Sequence, residues 1–347
     1  MTPNPKALLI PAPAMQLEQF RPYFPIGLYS IREYAARFGL DIHIPDLANS
    51  GFSPSPTSTP EMGDAILSLF NPADYEIIGL STLSPTFTIT LYLAETIKRL
   101  NPRAIIVFGG PHSSMLPLET LADFPFVDAV VVGEGEVTFT EMLAHFNGSA
   151  TGWAGIPGVM IRNAPSRKRE LLPDLDLLPP LQYNADPYKV NGVHYLRIEA
   201  LRGCYARCKF CAATRFWECK IRRKSPSRLL AEMNELSALN QLTTFQMIGD
   251  NFSFPLESCR EICQAMIREK SCYEWVCALR IGDLAPQDLE LMQAAGCSFI
   301  SVGVESASQD TLRRIGKNID LSKTISMIQT LSLSVDPQIF DIRGCKP

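Results

Sequence analysis

The stretch "RGCYARCKFC", Arg202 to Cys211, sets three cysteines, Cys204, Cys208 and Cys211, in a CxxxCxxC spacing. A structural zinc site normally uses four ligands in two CxxC-like pairs, so three thiols on one short loop leave a coordination place unfilled. Two readings stay open at this point. Cys219 supplies a fourth zinc ligand, or three thiolates hold three irons of a four-iron cluster whose fourth iron is left for an outside ligand.

The segments around the loop give its setting. "HYLRIEALRG" reads as a strand that delivers the cysteines, and "TTFQMIGDNF", "YEWVCALRIG" and "FISVGVES" read as the next strands. Between them lie the helical patterns "SRLLAEMNELSALN", "LESCREICQAMIRE" and "APQDLELMQAAG". Four such βα repeats predict part of a (β/α) TIM-type barrel, whose chemistry gathers at the carboxyl ends of the strands. The cysteine loop, Asp250-Asn251 and Glu305 all fall at those ends. Taken alone, Asp250 reads as a turn residue and Glu305 as a barrel-mouth ion-pair partner.

Upstream, "ALLIPA", the helical "IGLYSIREYAARFG" closing at Gly39, and the short strand "DIHIPD" form a βαβ unit. A Pro/Ser-rich loop, "NSGFSPSPTSTPEMG", precedes the helix "DAILSLF", the strand "YEIIGLS", the helix "FTITLYLAETIKRLN" and the strands "AIIVFGG" and "AVVVGEG". The fold class is therefore α/β: a Rossmann-like, doubly wound parallel sheet followed by the partial barrel. The domains read as 1–147, a connector at 148–190, and 191–347. The connector's basic run, "SRKRE", reads as a solvated hairpin. Ligands of an open parallel sheet lie beyond the carboxyl strand ends. Those ends carry Ser81-Thr82-Leu83, Gly109-Gly110 and "GEGE", which includes Gly133 and Gly135, all small or polar.

Composition narrows the classes. With 347 residues and 46% hydrophobic content there is material for two cores. A net charge of −4 gives no general attraction to nucleic acid or anionic membranes. The N-terminus lacks a signal-peptide pattern and no apolar run reaches about 18 residues, so a cytoplasmic protein is expected. In a reducing compartment the ten cysteines read as metal ligands or buried small hydrophobes, and Cys259, Cys263, Cys272, Cys277 and Cys297 are assigned to packing.

The chain resembles the cobalamin-dependent radical S-adenosylmethionine (radical SAM) enzymes. The motifs "GLSTLSPTF", "IKRLNPRAIIVFGGPHSS", "DAVVVGEGEVTFTEML", "PDLDLLPP", "RGCYARCKFC", "RRKSPSRLLAEM", "GDNFSF" and "VGVESASQDTLRRIGK" occur in that family's order. The resemblance implies a 4Fe-4S cluster on Cys204, Cys208 and Cys211, S-adenosyl-L-methionine near Phe210, Asp250 and Glu305, and cobalamin near Ser81, Leu83, Gly109, Gly110, Gly133 and Gly135. It implies a C-methyltransferase acting through a 5'-deoxyadenosyl radical on an unactivated carbon of a small molecule. A radical cyclase or rearrangement enzyme, and a cluster- and corrinoid-binding protein without turnover, are the alternatives. The expected partners are a small-molecule substrate and an electron donor such as flavodoxin or ferredoxin, with neither membrane nor nucleic acid.

Two departures from the family pattern are legible. The histidine signature DxHxxG is missing from "PAPAMQLEQFRPYFPIG", and His43, in "DIHIPD", reads as a strand-surface residue, so cobalt is expected to lack a histidine ligand. The barrel reads as truncated after its fourth repeat and the helix "LSKTISMIQTL". "SLSVDPQIFDIRGCKP" offers no convincing fifth strand, which predicts an open parallel edge and weak hold on the adenine end of S-adenosylmethionine.

Overall fold

The computed structural model describes residues 4–13, 24–47, 58–183, 188–190, 193–334 and 336–341. They divide into two compact units, residues 1–172 with 178–181, and 173–177 with 182–347.

In the first unit the order is β1 (Ala7–Ile10), α1 (Ile26–Ala36), β2 (Ile42–His43), α2 (Thr59–Leu67), β3 (Ile77–Ser81), α3 (Phe87–Leu100), β4 (Ile105–Gly109), α4 (Pro111–Met115), α5 (Pro117–Asp123), β5 (Ala129–Val131), α6 (Gly135–Ala144) and β6 (Val159–Ile161). The sheet runs β2-β1-β3-β4-β5-β6, parallel except for β6. Alternation along each strand separates two cores. Ala7 and Leu9 face Ala35 of α1 and Phe139, Met142 and Leu143 of α6, while Leu8 and Ile10 face Met62, Ile66, Leu93 and Ile97 of α2 and α3. Strands buried on both faces must be apolar at every position, which is why β1 reads as a continuous run. Asp128 joins the layers, accepting from Ile106 N–H at 2.7 Å and Lys98 Nζ at 2.8 Å.

The second unit contains β7 (Tyr188–Val190), β8 (Val193–Glu199), β9 (Leu201–Arg202), α7 (Ala212–Phe216), β10 (Arg222–Arg223), α8 (Pro226–Asn240), β11 (Thr244–Ile248), α9 (Leu256–Arg268), β12 (Glu274–Leu279), α10 (Pro286–Ala294), β13 (Cys297–Glu305), α11 (Gln309–Arg314), α12 (Leu321–Ser334) and β14 (Asp336–Asp341). Its main sheet is ordered β14-β13-β12-β11-β8-β7. Five strands from β8 to β14 are parallel and neighbours in chain order, the arrangement of a barrel wall rather than of a doubly wound sheet. Ser225 caps α8 by accepting from Arg228 N–H at 3.2 Å, Pro226 opens it, and Gln241 ends it in the left-handed region.

Several expectations are corrected. The barrel does not stop at four strands, because β14 pairs with β13 along its length. "DPQIFD" carries a proline and two aspartates and has weak strand character by itself; the open edge of β13 supplies what its composition lacks. Among the described residues β14 is the outermost strand of this sheet, so the expected open parallel edge lies one strand further out, at β14 rather than at β13. α2 begins at Thr59, inside the supposed loop, where Ser58 Oγ accepts from Glu61 N–H at 3.4 Å. The helices α4, α5 and α6 and the β9–β10 ribbon were not foreseen. β6 and β7 lie in the stretch read as connector. Its basic run is not merely solvated, since Arg169 donates to Pro157 O at 3.0 Å and pairs with Glu141. Cys259, Cys263, Cys277 and Cys297 are buried, but Cys272 is exposed and plays no packing role. Burial first, then the neighbouring Cys297, pushes the Cys277 thiol well up, so it stays protonated as a small hydrophobe.

A buried ion pair anchors α8 at its start. Lys224 Nζ lies 2.5 Å from Glu232 Oε2, with both side chains 2% exposed, and Arg228 Nε meets the other oxygen at 2.6 Å. Breaking such a pair leaves an uncompensated buried charge. Glu232→Ala is expected to lower stability by about 3–5 kcal/mol. Chemical denaturation checks this, and a loss below about 1 kcal/mol would show that water reaches Lys224.

Candidate functional site

β8 and the β9–β10 ribbon bring the chain to the mouth of the barrel, and Gly203 turns it into the cysteine loop. Gly203 has φ +98°, and a Cβ there would sit 1.9 Å from the Lys220 carbonyl oxygen. Both the left-handed conformation and the backbone contact exclude every other residue. Its N–H donates to Asp250 Oδ2 at 2.9 Å, which ties the loop to the end of β11. The preceding Arg202 makes a two-pronged bond to Glu199, with Nε–Oε1 and Nη2–Oε2 both at 2.9 Å, so the approach to the corner is rigid.

Beyond the corner, Cys208 is buried and Cys204 and Cys211 are half-buried. The Cys208 carbonyl accepts from Cys211 N–H at 3.1 Å, and Lys209 N–H donates to Ile315 O at 2.8 Å, fastening the loop to the end of α11. Arg280, just past β12, approaches Cys208 Sγ with Nη1 at 3.8 Å and holds the backbone at Lys317 and Asn318. Tyr205 donates to Asp283, which also accepts from Asn251 Nδ2 at 2.9 Å and Ser253 Oγ at 3.2 Å. Burial first, then Asp283, raises the Tyr205 hydroxyl, which stays a donor at neutral pH. Arg280, Asn251, Ser253 and Asp283 form the floor beneath the loop. Of these only Asn251 was singled out in the sequence; the others lack a motif and are recognisable only once β11 and β12 end side by side.

Burial pushes the Cys204 thiol up; a backbone bond from Ala206 opposes this, and the charges of Asp250, Cys211 and Cys208 add to the rise. A free thiolate is disfavoured there, and a cationic centre replacing the protons would reverse that balance. Among the described residues no three of His, Cys, Asp and Glu are arranged around one metal ion. The zinc reading is thereby not assembled: Cys219 has φ +57° and donates its thiol to Thr214 O at 3.8 Å. Cluster cysteines each bind a different iron and need not converge on one point, so this donor set fits a cluster.

Burial also raises Asp250, offset by its bonds from Gly203 N–H and Trp217. Glu305 stands at the end of β13 with φ +69° and accepts from Lys317 Nζ at 3.2 Å, the ion pair at the barrel mouth. Phe210 is 48% exposed.

In the first unit the switch in strand order falls between β1 and β3. Residues 14–23, which contain most of the segment lacking DxHxxG, lie outside the described residues. Ser81 ends β3 beside the switch and Gly109 ends β4 next to it. Gly110 has φ +92°, and its missing Cβ would lie 3.0 Å from Thr82 O and 3.1 Å from Thr82 N. Thr82, fully buried, donates to Gly109 O at 2.7 Å and accepts from Ser113 N–H at 3.0 Å, locking β3 to α4. Leu83 is half-buried beyond it. Gly133, φ +85°, has open space where a side chain would go, and its N–H donates to Ser114 Oγ at 3.1 Å. Gly135 instead makes room for Ile31, whose Cδ1 would be 2.5 Å from a Cβ, so α1 packs against α6 there. His112 packs at a tilt against Phe87, with ring centroids 4.0 Å apart, meets Ser84 Oγ through Nδ1 at 2.9 Å, and is lowered by burial, hence neutral. The sequence reading used only the first two residues of "GGPHSS" and passed over His112, Ser113 and Ser114. His43 is exposed on the edge strand, with Nδ1 2.5 Å from Tyr75 Oη.

The fold and site define a two-unit α/β protein with a small-residue rim on an open parallel sheet and a three-cysteine loop on a barrel wall. Two family models match it in that order, the B12 binding domain over residues 21–143 and the radical SAM superfamily over residues 198–337. The chain belongs to the radical SAM superfamily and carries a B12-binding domain ahead of the radical SAM domain. It is 27% identical to an uncharacterized methyltransferase of Pyrococcus horikoshii, covering 74% of this chain and 57% of that protein. It is 24% identical to the cytidylyl-2-hydroxyethylphosphonate methyltransferase of Streptomyces wedmorensis, covering 93% and 69%, and 23% identical to an anaerobic magnesium-protoporphyrin IX monomethyl ester cyclase of Rubrivivax gelatinosus, covering 74% and 48%. The chain thus spans little more than half the length of the Pyrococcus relative. The radical SAM methyltransferase TsrM of Kitasatospora setae, solved with cobalamin and a 4Fe-4S cluster, superposes with a TM-score of 0.72 at 15% identity over 97% of this chain and 69% of that one. This likeness shows the fold. Among the described residues no helix is long and apolar enough to cross a membrane.

Gly203→Ala is expected to displace the cysteine loop, because the new Cβ cannot coexist with the Lys220 carbonyl. The variant should retain less than about a tenth of the iron taken up by the wild-type chain on anaerobic reconstitution, since the cluster is held only by the thiolates of the displaced loop. Wild-type iron content in this variant would mean the corner can relax.

Proposed function

We propose that this protein is a cobalamin-dependent radical SAM methyltransferase that methylates an unactivated carbon of a small molecule. The observation that carries the reading is the three-cysteine loop, fastened to β11 by Asp250 and to α11 by Lys209, in a chain that also has a B12-binding domain. When bound, the cluster, S-adenosyl-L-methionine and cobalamin supply the reducing electron, the hydrogen-abstracting radical and the transferable methyl group.

The chain's own residues hold and orient these groups. Cys204, Cys208 and Cys211 would bind the cluster, while Arg280 places positive charge beside the Cys208 sulfur. Phe210, Asp250 and Glu305 are proposed to line the S-adenosylmethionine site. Asp250 is oriented by its bonds from Gly203 N–H and Trp217, and Glu305 is held in place by Lys317. Ser81, Leu83, Gly109, Gly110 and Gly133 are proposed to receive the corrinoid, with Gly135 acting through the α1–α6 contact rather than by touch. The engagement of His43 by Tyr75 supports a cobalt without histidine. Reduction requires an external one-electron donor. A cyclase is the second reading, favoured by the Rubrivivax relative.

Anaerobic reconstitution is expected to give about four irons and four sulfides per chain. Replacing Cys204, Cys208 and Cys211 together by alanine should abolish the cluster, whereas Cys219→Ala should leave it intact; equal loss in both defeats the assignment. Product mass decides between the readings, because methylation adds one methyl group per turnover and cyclisation adds none. Electron paramagnetic resonance of the cob(II)alamin-loaded chain should lack nitrogen coupling and be unchanged in His43→Ala. A nitrogen-coupled signal lost in that variant would assign His43 to cobalt.

A further inference from the structure

We propose that the outer face of the cysteine loop is the docking surface for an acidic one-electron carrier protein. The inference rests on the cluster reading above and names the partner of that site.

Three separate segments converge on this face. Lys209 N–H bonds Ile315 O, and the hydrogen of Gly316 faces the Arg207 carbonyl so closely that a Cβ would lie 3.0 Å away. Thr214 Oγ1 of α7 donates to Ala206 O at 3.1 Å. These bonds gather Arg207 and Lys209 from the loop, Arg215 from α7, and Arg313 and Arg314 from the last turn of α11, all exposed. Among the described residues Arg207, Lys209, Arg215 and Arg314 make no ion pair. Arg313 has only Asp310, whose side chain is 84% exposed against its own 67%, a pair worth about 0.5 kcal/mol at most.

Such a concentration of uncompensated cations is unexpected in a chain of net charge −4. Folding gains nothing from it, because like charges repel. Its place is informative: Arg207 and Lys209 point outward on either side of Cys208, whose own side chain is buried. A partner arriving here stands directly over the cysteines. Clustered positive charge steers an acidic protein to that spot and aligns it, raising the association rate more than the final affinity. An acidic carrier meets both requirements, charge complementarity and proximity to the redox centre. In the transfer one electron leaves the reduced carrier, which is oxidised, and enters the cluster, which is reduced by one unit; no bond forms or breaks.

The test uses the full chain and the double variant Arg215→Glu/Arg314→Glu, both positions lying outside the cysteine loop. Binding of an acidic flavodoxin is titrated with and without cluster reconstitution, and cluster reduction by reduced flavodoxin is followed by stopped flow at low and high salt. The expected result is a drop of about tenfold or more in both affinity and reduction rate at low salt, with loss of the wild-type salt dependence. Iron content and reduction by dithionite, which needs no docking, should match the wild type. Unchanged flavodoxin binding in the variant overturns the proposal, as does tighter wild-type binding to an RNA oligonucleotide than to flavodoxin. If the wild-type chain takes up no iron, the cluster reading fails by itself, and the titration without cluster still decides the docking surface.

Discussion

The path of the cysteine loop starts from the contact between Gly203 and the Lys220 carbonyl. A backbone oxygen occupies the place where any other residue would carry its first side-chain atom, so the loop leaves the ribbon at one angle only. The Asp250 carboxylate completes the corner by taking the Gly203 N–H, at the cost of burying a negative charge whose ionisation burial opposes. The direction in which the loop leaves the ribbon follows from this corner.

The two units solve the same problem with different backbones. Both put small or polar residues at the carboxyl ends of parallel strands, where backbone groups and loops are free to meet a ligand. In the first unit the rim is built by omission: Gly110 lets β3 approach α4 through Thr82, and Gly133 leaves space. In the second it is built by a bonded floor, Tyr205 and Asn251 on Asp283, with Arg280 braced on the backbone beyond β13. An omitted side chain suits a large ligand lying along a sheet edge. A bonded floor suits groups that must be held within fractions of an ångström.

Stability and function use charge in opposite ways here. Lys224 and Glu232 are buried and matched, so neither is left without compensation in the low-dielectric interior. The cations around the cysteine loop are exposed and, apart from the weak Arg313–Asp310 pair, unmatched, which water tolerates at little cost. The contrast separates a pair that serves packing from a cluster placed where a partner can reach it.

The sequence by itself determined what is local. Continuous apolar runs marked the buried strands, the 3.6-residue pattern marked α1, α3, α8, α9 and α10, and three cysteines at a fixed spacing marked a ligand loop whose cluster reading came from the family resemblance. Ser81, Gly109 and Gly110 could be placed at strand ends because strand ends follow from the pattern. Tertiary structure decided whatever depends on a neighbour remote in the chain. β14 is a strand only because β13 offers an edge, and Asp283 matters only because β11 and β12 finish together. Gly135 proves to serve the packing of α6 on α1, since what a glycine makes room for is invisible until the opposing Ile31 is in place. Arg313 and Arg314 join the cysteine loop through the Lys209–Ile315 bond, a contact between segments more than a hundred residues apart that no local pattern encodes.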